Sequence, residues 1–213
     1  MNLTTILVYG GTFFIIFPII SMIIYLIKCG IGFNRKIEIF CLYLIVLLFF
    51  LATMTYYAFN ARHNLFLIIY FAYFEIAILS YFLLSLQSIS KFFRFSLPLV
   101  FVIIIYVIHS NWGTKHALPA EAVIVESLLI TMLGMLSIPQ IRITKKYELG
   151  FYYFVFGILI ASLNNMIGYG IENVAQMFSL SIHGIVSMVK YTFFTIGFYV
   201  ILRESAKEKL EVY

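Results

Sequence analysis

The chain predicts an all-α fold, a polytopic bundle of seven transmembrane helices, and three observations carry that prediction. Apolar residues make up 63% of its 213 positions and charged residues only 11%, with no aspartate at all. An ordinary globular domain is about half apolar and a quarter charged. Runs of roughly 18 or more residues without a charge recur along the chain, each long enough to cross the ~30 Å hydrocarbon core of a bilayer. At about 20 residues per span, the spans and short loops consume the whole length and leave no room for a soluble domain.

Taken in order, the expected spans are residues 5–27, 37–59, 65–86, 96–110, 119–138, 149–170 and 180–202. The opening MNLTTILVYGG lacks the basic start of a signal peptide, so it reads as part of the first span. Pro18 falls inside that span and is expected to kink it. Only Asn60–Asn64 separates spans two and three, which makes them antiparallel neighbours. Pro98 and Pro119 sit in the first turns of spans four and five, where a missing N–H does no harm, and Pro139 ends the fifth. After span seven, residues 203–213 alternate basic and acidic side chains and read as a short solvated extension of that helix. The organisation is thus a single bundle over 1–202 and a charged tail over 203–213.

Basic residues divide unevenly between alternate loops. Lys28, Arg35, Lys36, Lys91, Arg94, Arg142, Lys145, Lys146, Arg203, Lys207 and Lys209 fall on one side, and only Arg62 and Lys115 on the other. A lysine and arginine excess marks the cytoplasmic face, so the N-terminus is expected outside and the C-terminus in the cytoplasm. Placement in the cytoplasmic (inner) membrane, as a multi-pass protein, follows. The net charge of +5 is accounted for by these loops, and no nucleic-acid partner is expected. Cys29 and Cys41 flank one basic loop and are expected to be reduced thiols on the cytoplasmic side.

Two charges break the apolar pattern. Glu75 lies near the middle of span three and Lys190 near the middle of span seven, each about ten residues, or ~15 Å, below the outer end. An ammonium at the bilayer centre costs roughly 2.5–3.5 kcal/mol on insertion scales, so such a residue is a functional candidate by default. Equal depth makes an ion pair, direct or through water, the cheapest arrangement for the two. On span seven, His183, Ser187, Lys190, Phe194 and Gly197 recur at spacings of four, three, four and three, which places them on one helix face. Span six carries a matching stripe of Gly157, Ala161, Asn164 and Gly168, small residues that let helices approach plus an amide that bridges them. Asn165 is adjacent, and Glu126 lies in the outer third of span five. Glu75, Lys190, His183, Ser187, Glu126, Asn164 and Asn165 therefore form the expected ligand-binding set, lining a pocket open to the outside. Tyr70, Tyr73 and Tyr81 are the expected hydrogen-bond partners of Glu75.

No enzyme is expected, because no nucleophile elbow, phosphate loop or pair of intramembrane aspartates is present. His63, His109, His116 and His183 all fall on the outer side, near Glu121, Glu126 and Glu172. No two of them have i, i+4 spacing, so they read as interfacial histidines and not as a zinc or copper centre.

Lys190 in the seventh span with Glu75 in the third resembles the microbial rhodopsins. That resemblance implies retinal as a cofactor, bound as a Schiff base on Lys190 with Glu75 as counter-ion. The chain departs from it in having a single tryptophan, Trp112, in an outer loop, Val186 one turn before the lysine, and no arginine in span three. Pro139-Gln140, followed by Lys145-Lys146 and a span ending Asn164…Tyr169, resembles the second repeat of the PQ-loop and SWEET-type transporters. The first repeat lacks the dipeptide, since Ile19 follows Pro18. In that family's three-plus-one-plus-three plan, spans three and seven are related by repeat and the substrate site lies at the midplane. The stretches ARHNLFLIIYFAYFEIAILSYF and HGIVSMVKYTFFTIGFY also resemble spans three and seven of small seven-helix proteins of Bacteroidota, a likeness that implies a bacterial source and no particular function.

The functional expectation is a membrane protein that binds a small molecule or ion around Glu75 and Lys190, as a transporter or a membrane sensor. A retinal-binding photoreceptor or pump is the second reading. A non-catalytic accessory subunit or scaffold, held to a membrane-protein partner or to copies of itself, is the third.

Overall fold

A computed structural model describes residues 10–11, 13–59, 65–112, 120–141, 146–170 and 176–211. They form seven α-helices and, among the described residues, no strand: α1 (Ile16–Cys29), α2 (Arg35–Phe59), α3 (Leu65–Leu86), α4 (Lys91–Trp112), α5 (Ala120–Ser137), α6 (Gly150–Gly170) and α7 (Gln176–Glu211). Helices α2 to α7 each contain a segment long and apolar enough to cross a membrane, whereas α1, with 14 residues, is about 21 Å long and falls short by itself.

Pro18 explains part of that shortness. A proline ring clashes with the carbonyl four residues back, here that of Phe14. The helical chain breaks at Phe14–Ile15, and the Phe14 carbonyl instead accepts the Phe17 N–H in a tighter turn at 3.2 Å. This break, one turn before Pro18, divides the described part of the first span. Residues 1–9 and 12 lie outside the described residues.

Pro98 behaves differently from the expectation. Helix α4 starts at Lys91, not at 96, so Pro98 is an interior, buried residue and not a first-turn one. The start is set by Ser90, whose carbonyl takes the Arg94 N–H at 3.2 Å and whose hydroxyl accepts the Phe93 N–H at 3.5 Å. Asn34 caps α2 in the same way, its side-chain oxygen accepting the Lys36 N–H at 3.0 Å. Pro139 lies in a single 3-10 turn, Ile138–Gln140, that closes α5 as expected. Pro119 lies outside the described residues. Helix α7 runs unbroken through the described part of the tail to Glu211, a length of about 54 Å.

In the bundle, α7 packs on α1 and α6, α6 on α5, and α3 on α2, α4 and α5. Helices α6 and α7 meet along their small residues. A Cβ on Gly157 would lie 2.6 Å from the Phe194 ring, and one on Gly197 would lie 2.5 Å from the Phe154 ring. Gly157 of the stripe expected on span six, and Phe194 and Gly197 of that on span seven, thus lie in the interface between the two helices. Gly197→Leu should overpack this seam and lower stability by about 1–3 kcal/mol, read as a fall in unfolding temperature in detergent.

One end of the bundle is filled by aromatic rings. Phe40 stacks on Phe154 with centroids 4.0 Å apart and meets Phe194 edge-on at 4.8 Å, while Phe82 and Phe198 close the layer. All five are fully buried. Nearby, Gln87, the residue after α3, donates to the Ser137 hydroxyl of α5 at 3.1 Å, a polar tie between the end of α3 and α5. The outer surface is the reverse of a soluble one: Ile27, Phe49, Phe92, Leu99 and Met132 are all exposed. An apolar exterior of this extent around span-length helices is the surface of a multi-pass membrane protein.

Candidate functional site

The other end of the bundle, where α2 and α6 finish and α3, α5 and α7 begin, holds the polar side chains. Two adjoining spaces lie there. The larger is a cavity of about 240 Å³, lined by the polar Asn164, Asn165, His183, Ser187, Lys190 and Glu75 and by the apolar Leu47, Leu51, Phe71 and Val186. The smaller, about 20 Å³, lies deeper between Tyr43, Glu75, Glu126, Ser127, Asn165 and Lys190. Glu75, Asn165 and Lys190 line both spaces. Below them, Lys190 is followed one turn on by Phe194, which belongs to the aromatic layer.

The packing order explains the convergence. Helix α3 touches α2 and α5, so one face of it brings Glu75 beside Tyr43 and Glu126. Helix α6 touches α5 and α7, which carries Asn165 between Glu126 and Lys190. The three-four spacing on α7 puts His183, Ser187 and Lys190 on the cavity wall one above another.

All seven expected ligand-binding residues are brought to these two spaces. Asn164 and His183 are joined directly, amide to ring nitrogen Nδ1, at 3.0 Å. Glu126 is deeply buried, and its Oε1 finds no hydrogen-bond partner among the described residues. Glu75 and Lys190 share both spaces without forming a direct salt bridge within 4.0 Å. Glu75 instead accepts a hydrogen bond from the Tyr43 hydroxyl at 2.9 Å. The Lys190 ammonium lies 4.7 Å from the centre of the Tyr191 ring, within cation–π range. The direct form of the expected pair is therefore not seen, and the shared water-sized space fits its water-linked form.

The tyrosine on Glu75 comes from another helix than expected. Tyr73 directs its hydroxyl to His109 at 2.9 Å, Tyr81 packs its ring on Phe95 with centroids 5.0 Å apart, and Tyr70 is exposed. Tyr43, on α2, is fully buried and lies one helical turn from Phe40. Helical spacing pointed to residues on Glu75's own helix, whereas the α2–α3 packing decides the contact. Ser127 and Ser162 were likewise not singled out, and both line the deeper space. Of the other residues weighed, Glu121 is exposed, Cys29 and Cys41 form no disulfide, and His63, His116 and Glu172 lie outside the described residues.

Chemically, the larger cavity combines an apolar wall with a row of donors and acceptors, the make-up of a small-molecule site. Its deep end offers one ammonium, one carboxylate and an amide, and Phe194 of the buried aromatic layer lines the smaller space beneath them. The chain matches no family model, no curated protein and no solved structure, so the reading of this site rests on its own geometry.

Proposed function

We propose that this is a multi-pass protein of the cytoplasmic membrane, N-terminus outside, that binds a small molecule in the cavity above Glu75 and Lys190 as a transporter or membrane sensor. One observation supports this most: a cavity lined by polar side chains ends on two intramembrane charges at one end of the bundle, while a fully buried aromatic layer fills the other. The bias of basic residues places the aromatic end toward the cytoplasm, so the cavity faces outward. Charges kept at mid-span depth are costly in lipid, and a ligand site is a common reason to keep them.

Access is the testable consequence. In a Cys29→Ser, Cys41→Ser background, Ser187→Cys should react with a membrane-impermeant maleimide added to intact cells. Ser205→Cys, buried near the opposite end of α7, should stay unmodified. Modification of Ser187→Cys only after permeabilisation would reverse the assigned orientation, and no modification in either condition would remove the cavity from consideration.

A further inference from the structure

The deeper space is too small for an organic ligand. At about 20 Å³ it has room for one water-sized species. Its walls are short of one positive charge, since two carboxyl groups, Glu75 and Glu126, face a single ammonium, Lys190. The shortfall centres on Glu126. Glu75 has the Tyr43 hydrogen bond, whereas Glu126 is 5% exposed and its Oε1 has no partner among the described residues. A carboxylate in that position, desolvated and unpaired, is costly until a cation or proton meets it.

The remaining polar groups can each offer an oxygen lone pair. The Tyr43 hydroxyl donates a hydrogen bond to Glu75 at 2.9 Å, and the Ser162 hydroxyl donates one to the Ile158 carbonyl at 3.0 Å. Both hydroxyl oxygens keep lone pairs for a further bond, and Asn165 brings an amide oxygen to the same walls. Oxygens gathered in this way suit hard cations, and they face the Lys190 ammonium across the space.

We propose that the deeper space between Glu75 and Glu126 binds one monovalent cation, sodium or a proton, and serves as the ion-coupling site beneath the ligand cavity. Glu75, Asn165 and Lys190, which wall both spaces, connect the two occupancies: neutralising Glu126 and Glu75 changes the field on Lys190 and so its hold on a molecule above. Coupling ions bound at mid-membrane beside the substrate are a recurrent transporter arrangement. The inference rests on the outward-facing site proposed above, but its test needs no knowledge of the organic ligand.

Purified protein in detergent is compared in sodium chloride and in N-methyl-D-glucamine chloride of equal ionic strength at fixed pH. A second series varies pH without sodium. The readouts are unfolding temperature and retention of radioactive sodium. The groups facing Glu126 across the space are Glu75 on α3, Tyr43 on α2 and Lys190 on α7, so each pH curve is read as a difference from Glu126→Gln. The expected result is a sodium-specific rise in unfolding temperature with bound tracer, or a pH-dependent rise in sodium-free buffer, and its loss in Glu126→Gln. Should that variant not fold, Asn165→Ala removes one ligand and should weaken the cation response about tenfold. An unchanged response in the variant, or no response of the wild type to either cation, overturns the proposal. Neither result would alter labelling of Ser187→Cys, which tests the cavity separately.

Discussion

Phe40→Ala should cost this protein about 3 kcal/mol, near the low end of what buried phenylalanine truncation costs in soluble proteins. Phe40 touches Tyr43, Phe82, Phe154, Phe194 and Phe198, and so ties α2 to α3, α6 and α7 at once. In a bilayer the unfolded reference is nearly as apolar as the core, so the transfer part of the loss shrinks. What remains is the void and the lost dispersion contacts of the Phe154 and Phe194 rings with Phe40. Phe49→Ala, on an outward, 68% exposed side chain of the same helix, should change stability by a few tenths of a kcal/mol at most. Unfolding in detergent with increasing denaturant separates the two, and equal effects would show that the aromatic layer is not what holds this end together.

Helix identities and faces were largely legible in the sequence because both are local properties. Apolar run length places the spans, and the three-four spacing of His183, Ser187, Lys190, Phe194 and Gly197 places the interior face of α7 without any knowledge of its neighbours. What was not legible depends on which helices touch. Tyr43 meets Glu75 through the α2–α3 contact and Glu126 joins them through α3–α5, and no spacing within one helix encodes either. The start of α4 was misjudged because Pro98 has the same local signature in a first turn as in a helix interior, and the Ser90 cap decided between them. The charges at mid-span were visible as a pair of costly residues. Their separation across a shared space, with Tyr43 on one and the Tyr191 ring against the other, was not.

Lys190→Met should weaken ligand binding by about 10- to 150-fold and also lower stability. Methionine keeps the length and the apolar stem of lysine but presents no ammonium to the cavity. A hydrogen bond to a charged group contributes about 1.5–3 kcal/mol, which converts to that range of affinity. Stability falls as well, because removing the one ammonium leaves the buried Glu75 and Glu126 carboxyl groups uncompensated, and adding Glu75→Gln to Lys190→Met should recover part of the loss. A purely structural role for Lys190 predicts the loss of stability alone, with nothing bound to lose. If both Lys190→Met and Glu75→Gln left binding unchanged while a second protein co-purified, the scaffold reading would take precedence.

The most direct test of the central claim is native mass spectrometry of the purified protein, with an absorption spectrum of the same sample. The cavity account predicts a small molecule held non-covalently by the wild type and lost from Lys190→Met, with no visible absorption band. The same bound mass on both proteins would contradict a site built on Lys190. A covalent adduct on Lys190, accompanied by a visible band after addition of all-trans retinal, would contradict it in favour of a chromophore anchor.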